Sequence, residues 1–207
     1  MSVAIVNCGI SNLASIRRAL EDLGAQVVVA QEPSALRAAK CVVLPGVGAF
    51  PAAMEKLTSG GWIEVLRELC VIECRPLLGI CLGMQLLSMG SDEGTPTEGL
   101  GFIDGRVRRL DAIGCRERIP HVGWNGLAFN DDEPLFAHIP QGSDFYFVHS
   151  FAFDSVDSET VVGRTDYGVP VVAAVRRAHV FGTQFHPEKS SRAGRQLLRN
   201  FLDFARC

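Results

Sequence analysis

Up to about Gly90 the chain alternates short aliphatic, β-branched runs with stretches of helical period, and that alternation leaves few architectures open. Val3–Val6, Val27–Val29, Cys41–Leu44 and Leu77–Ile80 are apolar almost throughout, as strands buried on both faces of a parallel sheet require. Helix signals lie between them. Ser11 is placed to cap a helix with an apolar stripe of Leu13, Ile16, Ala19, Leu20 and Leu23, and Gly24 is placed to end it. Ser34 can cap a short helix, a longer one is expected from about Trp62 to Cys74, and Leu82–Met89 reads as helix straight after the fourth strand. Beyond Gly90 the pattern changes to strands divided by turn residues, at Val107, Phe145–His149, Val161–Arg164, Val171–Val175 and Val180–Gln184. An amphipathic helix from about Ala193 to Ala205 follows them. The expected fold is α/β, a three-layer sandwich with a mainly parallel central sheet and helices on both faces. A smaller antiparallel or mixed strand region is expected in the second half.

With 207 residues, 47% of them hydrophobic, the chain has material for one full core, so residues 1–207 are expected to form a single domain. A net charge of −3 gives no reason to expect nucleic acid or an anionic membrane as a partner. No apolar run approaches the roughly 20 residues that span a bilayer. The odd set of seven cysteines, on a chain that opens with no basic leader, suggests free thiols in a reducing, cytoplasmic setting. Cys70 and Cys74 have helical spacing but no second pair to complete a zinc site, so no metal is expected. No nucleotide or cofactor loop is present either.

The sharpest chemical signal is Gly79-Ile80-Cys81-Leu82-Gly83, where a predicted strand ends and a predicted helix begins. A nucleophile on so tight a turn needs glycine two residues to either side, and a helix start beneath the sulfur favours thiolate over thiol. The Leu82 N–H would face an oxyanion on the attacked carbon. Taken alone, Cys81 could equally be an ordinary buried thiol. The signal that lifts it is Phe185-His186-Pro187-Glu188, where an extended chain would put the imidazole and the carboxylate on one side, with Pro187 restraining both. Nucleophile, base and orienting acid are then Cys81, His186 and Glu188. A third signal is Pro45-Gly46-Val47-Gly48, a glycine-rich loop after a strand, which could offer a second oxyanion donor or be a plain tight turn.

Together these motifs resemble the class I, triad-type glutamine amidotransferases. Further segments resemble the glutaminase-subunit branch of imidazole glycerol phosphate synthase: Gly9-Ile10-Ser11-Asn12, Val47-Gly48-Ala49-Phe50, Pro120-His121-Val122-Gly123-Trp124-Asn125, Tyr146-Phe147-Val148-His149-Ser150 and Gln184 to Ser190. One departure is visible: Asn7-Cys8 stand where that branch usually has an acidic residue and tyrosine.

The resemblance implies that Cys81 attacks the side-chain amide of glutamine, that His186 moves the proton and that Glu188 orients the imidazole. It implies an oxyanion site made by Leu82 with Val47 or Gly48, and substrate contacts from Gln85, His149 and Ser150. It also implies a heterodimer with a (β/α)₈-barrel cyclase subunit, reached through Trp124, Tyr146 and Lys189, in histidine biosynthesis. The rival expectations are a glutaminase feeding a different synthase, such as one amidating a surface polysaccharide, a self-sufficient cysteine hydrolase, and an inactive copy of the fold.

Overall fold

The computed structural model describes residues 1–9, 13–155, 157 and 159–206. Ile10, Ser11 and Asn12 lie outside the described residues, and with them the cap expected at Ser11. In chain order the first half runs β1 (Ser2–Val6), α1 (Leu13–Glu21), β2 (Gln26–Ala30), β3 (Cys41–Gly46), α2 (Phe50–Ser59), α3 (Trp62–Arg67), β4 (Leu77–Cys81) and α4 (Leu82–Leu86). The second half adds the short strands β5 (Gly90–Ser91) and β6 (Thr97–Glu98), then β7 (Arg106–Arg109), β8 (His121–Gly126), β9 (Ala128–Phe129) and β10 (Asp144–His149). It ends with β11 (Phe151–Asp154), β12 (Val161–Asp166), β13 (Pro170–Arg177), β14 (Val180–Thr183) and α5 (Ser191–Phe204).

Among the described residues an eight-stranded sheet runs in the order β2-β1-β3-β4-β14-β13-β12-β9. The pairings from β2 through β14 are parallel and the last three strands run antiparallel. Alternate residues of the parallel strands feed two cores. Ala4, Val6, Val42 and Leu44 meet Phe50, Leu57, Trp62 and Leu66 of α2 and α3 on one side. Val3, Ile5, Cys41 and Val43 meet Ile16 and Leu20 of α1 and Leu197, Leu198 and Phe201 of α5 on the other. This is the three-layer arrangement that the apolar runs require. A two-stranded antiparallel sheet, β8–β10, and a four-stranded sheet, β11-β7-β5-β6, form the second-half region.

Several local expectations are corrected. The helix expected over Trp62–Cys74 ends as α-helix at Arg67, and Glu68–Ile72 widens into a π-turn in which the Glu73 N–H reaches back to the Glu68 carbonyl. The helix expected to reach Met89 stops at Leu86, because the chain turns there to start β5. Ser34 does not cap: it lies inside a 3₁₀ turn, Pro33–Ala38, and its hydroxyl donates to Glu32 Oε1 at 2.6 Å.

Candidate active site

The site is built where β4 and β14, parallel neighbours in the sheet, deliver their C-terminal ends side by side. Cys81 closes β4 with φ 55° and ψ −111°, a left-handed backbone that no relaxed strand or helix residue adopts. Two close approaches explain the glycines around it. A Cβ on Gly83 would sit 1.7 Å from the Leu44 carbonyl oxygen of β3, and one on Gly79 would sit 2.6 Å from the Gly83 carbonyl oxygen. The elbow therefore forms only because both positions lack a side chain, which lets the first turn of α4 lie directly against β3 and β4.

His186 follows β14 and caps a one-turn 3₁₀ helix, Pro187–Lys189, which carries Glu188. The pair is joined by a 2.8 Å contact from His186 Nδ1 to Glu188 Oε1, with both side chains at least nine-tenths buried. The contact comes from this turn rather than from the extended chain that the spacing suggested. Three bonds brace it against β10. The His186 N–H donates to the Tyr146 carbonyl at 3.0 Å, the Tyr146 N–H to Ser190 Oγ at 3.0 Å, and the Ser190 hydroxyl to the His186 carbonyl at 2.6 Å. His186 Nε2 and Glu188 Oε2 are buried without a hydrogen-bond partner. Burial opposes protonation of His186, but the Cys81 sulfur and the Glu188 carboxylate outweigh it and lift the imidazole to about 9. Elsewhere burial pushes the thiols of Cys41 and Cys70 up to about 12 and leaves them inert.

Cys81 and His186 open onto a cavity of about 390 Å³ that is also lined by Val47, Gly48, Leu82, Gln85, Glu93, His149 and Ser150. Every residue expected in the triad, oxyanion and substrate groups except Glu188 thus lines one cavity, and Glu188 stands behind His186. Gly48 has φ 103°, which frees the Val47–Gly48 peptide to take an orientation closed to other residues.

Two of the polar wall residues, His149 and Gln85, are anchored in the protein. His149 Nδ1 bonds the Phe151 carbonyl at 2.8 Å, and its Nε2 meets His121 Nδ1 at 3.0 Å. A carbonyl only accepts, so His149 Nδ1 carries the proton; with both rings kept neutral by burial, His149 Nε2 accepts from His121 Nδ1–H. Burial accordingly holds His149 down at about 3 and His121 at about 4. Gln85 Nε2 donates to the Phe151 carbonyl and to Gln184 Oε1, both at 2.9 Å. Sequence reasoning missed Glu93, whose carboxylate accepts the Phe50 N–H at 2.9 Å and lines the cavity. It stands in a loop, and no local motif marks it.

Beside the cavity, the outer face of the β8–β10 pair carries Trp124 opposite Tyr146 and Val122 opposite Val148. Trp124 is 53% exposed, Val122 55% and Val148 38%. The Trp124 ring meets Tyr146 edge-on at 6.0 Å, and Lys189 Nζ lies 5.8 Å from the centre of the Tyr146 ring. Two of the residues expected at a partner face, Trp124 and Lys189, therefore both meet the third, Tyr146, on an exposed ridge.

The family model described as glutamine amidotransferase class-I matches residues 4–204. The chain is 45% identical over 204 residues to the imidazole glycerol phosphate synthase subunit HisH of Moorella thermoacetica, covering 99% of this chain and 95% of that one. It is 41% identical over 207 residues to subunit HisH 2 of Vibrio vulnificus, covering 100% and 96%. A crystal structure of a glutamine amidotransferase superposes with a TM-score of 0.75 over 99% of both chains at 23% identity, a likeness of fold. The chain belongs to the class I glutamine amidotransferases, in the branch formed by the HisH subunits of imidazole glycerol phosphate synthase.

Proposed function

We propose that residues 1–207 act as one glutamine amidotransferase domain that hydrolyses glutamine to glutamate and ammonia and passes the ammonia to a cyclase subunit. That subunit makes imidazole glycerol phosphate and aminoimidazole-carboxamide ribotide in histidine biosynthesis. The observation that carries the reading is the buried 2.8 Å His186–Glu188 pair facing a thiol on a left-handed elbow at the rim of an amino-acid-sized cavity. Cys81 Sγ attacks the side-chain carbonyl carbon, and the C–N bond breaks as the proton on His186 Nε2 passes to the departing ammonia. Neutral His186 then takes a proton from water, the hydroxide adds to the thioester, and the C–S pair returns to sulfur. Glu188 holds Nδ1–H throughout and so keeps Nε2 directed at the reaction.

Each polar wall group has a place in this scheme. The N–H of Leu82 and one from Val47 or Gly48 receive the oxyanion, and losing one such donor typically costs roughly 10²–10³ in rate. Among the described residues Glu93 is the only carboxylate on the cavity wall, which suits the α-ammonium of an amino acid. Ser150 offers a hydroxyl, Gln85 offers its Oε1, and the His149 ring, with both nitrogens engaged, contributes an apolar edge.

Ammonia in neutral water is mostly protonated, so a protein that makes it for synthesis must deliver it under cover. The Trp124–Tyr146–Lys189 ridge beside the cavity suits a tightly docked (β/α)₈-barrel cyclase in a cytoplasmic heterodimer, with glutamine as the only small-molecule substrate of this chain and no cofactor. No helix among the described residues is long and apolar enough to cross a membrane. The test is glutamine hydrolysis by the chain alone, then with the cyclase and its acceptor ligand. Slow turnover alone and a large rise in the complex are expected. Full turnover alone would favour a self-sufficient hydrolase, and no rise would favour another ammonia acceptor.

A further inference from the structure

The triad accounts for Cys81, His186 and Glu188 but leaves a wholly buried polar residue against the nucleophile unexplained. Gln184 is 0% exposed, sits at the end of β14 two residues before His186, and directs its Nε2 to Cys81 Sγ at 3.7 Å. We propose that Gln184 is a further catalytic residue, an amide donor that holds the thiolate of Cys81, and that Gln85 is the positioning residue that sets its orientation. The proposal rests on Cys81 being the nucleophile.

The orientation follows from hydrogen-bond bookkeeping along the chain of contacts. The Phe151 carbonyl can only accept, so the Gln85 group that meets it at 2.9 Å is the NH₂. The second hydrogen of that NH₂ is directed at Gln184, 2.9 Å away, which makes the facing Gln184 atom its carbonyl oxygen. The remaining end of Gln184 is then its own NH₂, and that end meets the sulfur. A flip of either amide would set two donors or two acceptors against each other in a buried site, which costs a desolvated polar group. The nucleophile's donor is thereby locked from a main-chain carbonyl two side chains away.

The sulfur has one opposing neighbour. The Val148 carbonyl lies 3.9 Å from Sγ and can only accept, so it favours the neutral thiol, whereas the Gln184 N–H favours the thiolate. The two bear on the same atom at similar range, so removing the Gln184 donor leaves the Val148 acceptor unopposed. Its help extends to the second half of the reaction. When the thioester C–S bond breaks, the electron pair returns to a sulfur that already faces an N–H, and a better stabilised thiolate leaves faster.

The test is site-resolved alkylation of Cys81 by iodoacetamide against pH, read on the peptide that carries it, for the full chain and for Gln184→Met, which keeps length and volume without a donor. One lost hydrogen bond to a charged group is expected to move the alkylation midpoint up by about one pH unit. Below the midpoint the rate should fall only about threefold, because the more basic thiolate is also the better nucleophile; the plateau at high pH should rise by a similar factor. That crossing of the two curves is a signature that general loosening of the site does not produce. In glutamine hydrolysis, kcat should fall with KM changed less than twofold. An unchanged midpoint, or a rise in KM alone, would overturn the proposal. Should Gln184→Met fail to fold, Gln184→Asn withdraws the same amide by one methylene and should raise the midpoint alike. If wild-type Cys81 is not alkylated at any pH, the nucleophile assignment itself fails and the role of Gln184 falls with it.

Discussion

At the scale of single residues, the site depends on groups that admit no substitute. Gly83→Ala would drive a Cβ into the Leu44 carbonyl, a backbone atom with nowhere to move. A loss of about 3 kcal/mol or more in chemical denaturation is expected, together with loss of glutaminase activity as the elbow shifts. Cys81→Ala should abolish hydrolysis and leave the denaturation midpoint near that of the wild type; retained hydrolysis would remove the nucleophile assignment. The imidazoles divide into two sets. His186 titrates at about 9, above the usual 6.5, so its contribution to stability is complete below about 6.5 and is lost as pH rises toward 9. His121 and His149 are depressed to about 4 and about 3, so theirs is present above about 6.5 and is lost as pH falls through those values. Proton NMR of the ring resonances should show His186 changing charge last on the alkaline side and the other two staying neutral well into acid. Co-titration of all three near 6.5 would contradict the geometry.

The helices and strands show which parts of the architecture were written locally. The four parallel strands up to Ile80 and the last helix were legible because each carries a burial pattern of its own, apolar runs in one case and Leu197, Leu198, Phe201 and Leu202 in the other. α2 was not. Its N-terminus has Ala49 at the cap position and Pro51 close behind, which reads as a turn, and the acceptor for its first N–H is Glu93, 43 residues away. β8 was equally hidden, since His121-Val122-Gly123-Trp124-Asn125-Gly126 has too many glycines and polar groups to announce a strand. Pairing with β10 makes it one. The placement of Cys81, His186 and Glu188 beside one cavity was legible for the opposite reason, because its constraints lie within a few residues of Cys81 and of His186. Even there the His186–Glu188 contact belongs to a tight turn and not to an extended chain. α5 also has a task beyond its apolar stripe. Its buried Asn200 donates to the Leu135 and Ala137 carbonyls at 3.0 and 2.7 Å and so holds the loop before β10. Asn200→Ala should cost about 2 kcal/mol in chemical denaturation, because a buried acceptor at Leu135 and a half-buried one at Ala137 lose their partner.

Across the whole molecule, the cavity at Cys81 and the apolar ridge lie on the same side, joined by β10. That strand bears Tyr146 and Val148 outward, and its Tyr146 backbone grips the turn that presents His186. Trp124→Ala or Lys189→Ala should therefore reduce glutamine-dependent synthesis by the complex more than tenfold, since aromatic anchors dominate interfaces, and leave synthesis from added ammonium salt nearly unchanged. Equal loss in both assays would show that the ridge serves something other than delivery. The ridge also bears on supply within the cell. Val122 and Trp124 are more than half exposed, so on the proposed docking a copy made beyond the number of its partners keeps an adhesive face and is a candidate for precipitation or proteolysis. On the docking proposed above, dosage balance between two genes is inscribed on one face of this strand pair, and co-expression with the cyclase should raise the soluble yield of this chain where overproduction alone does not.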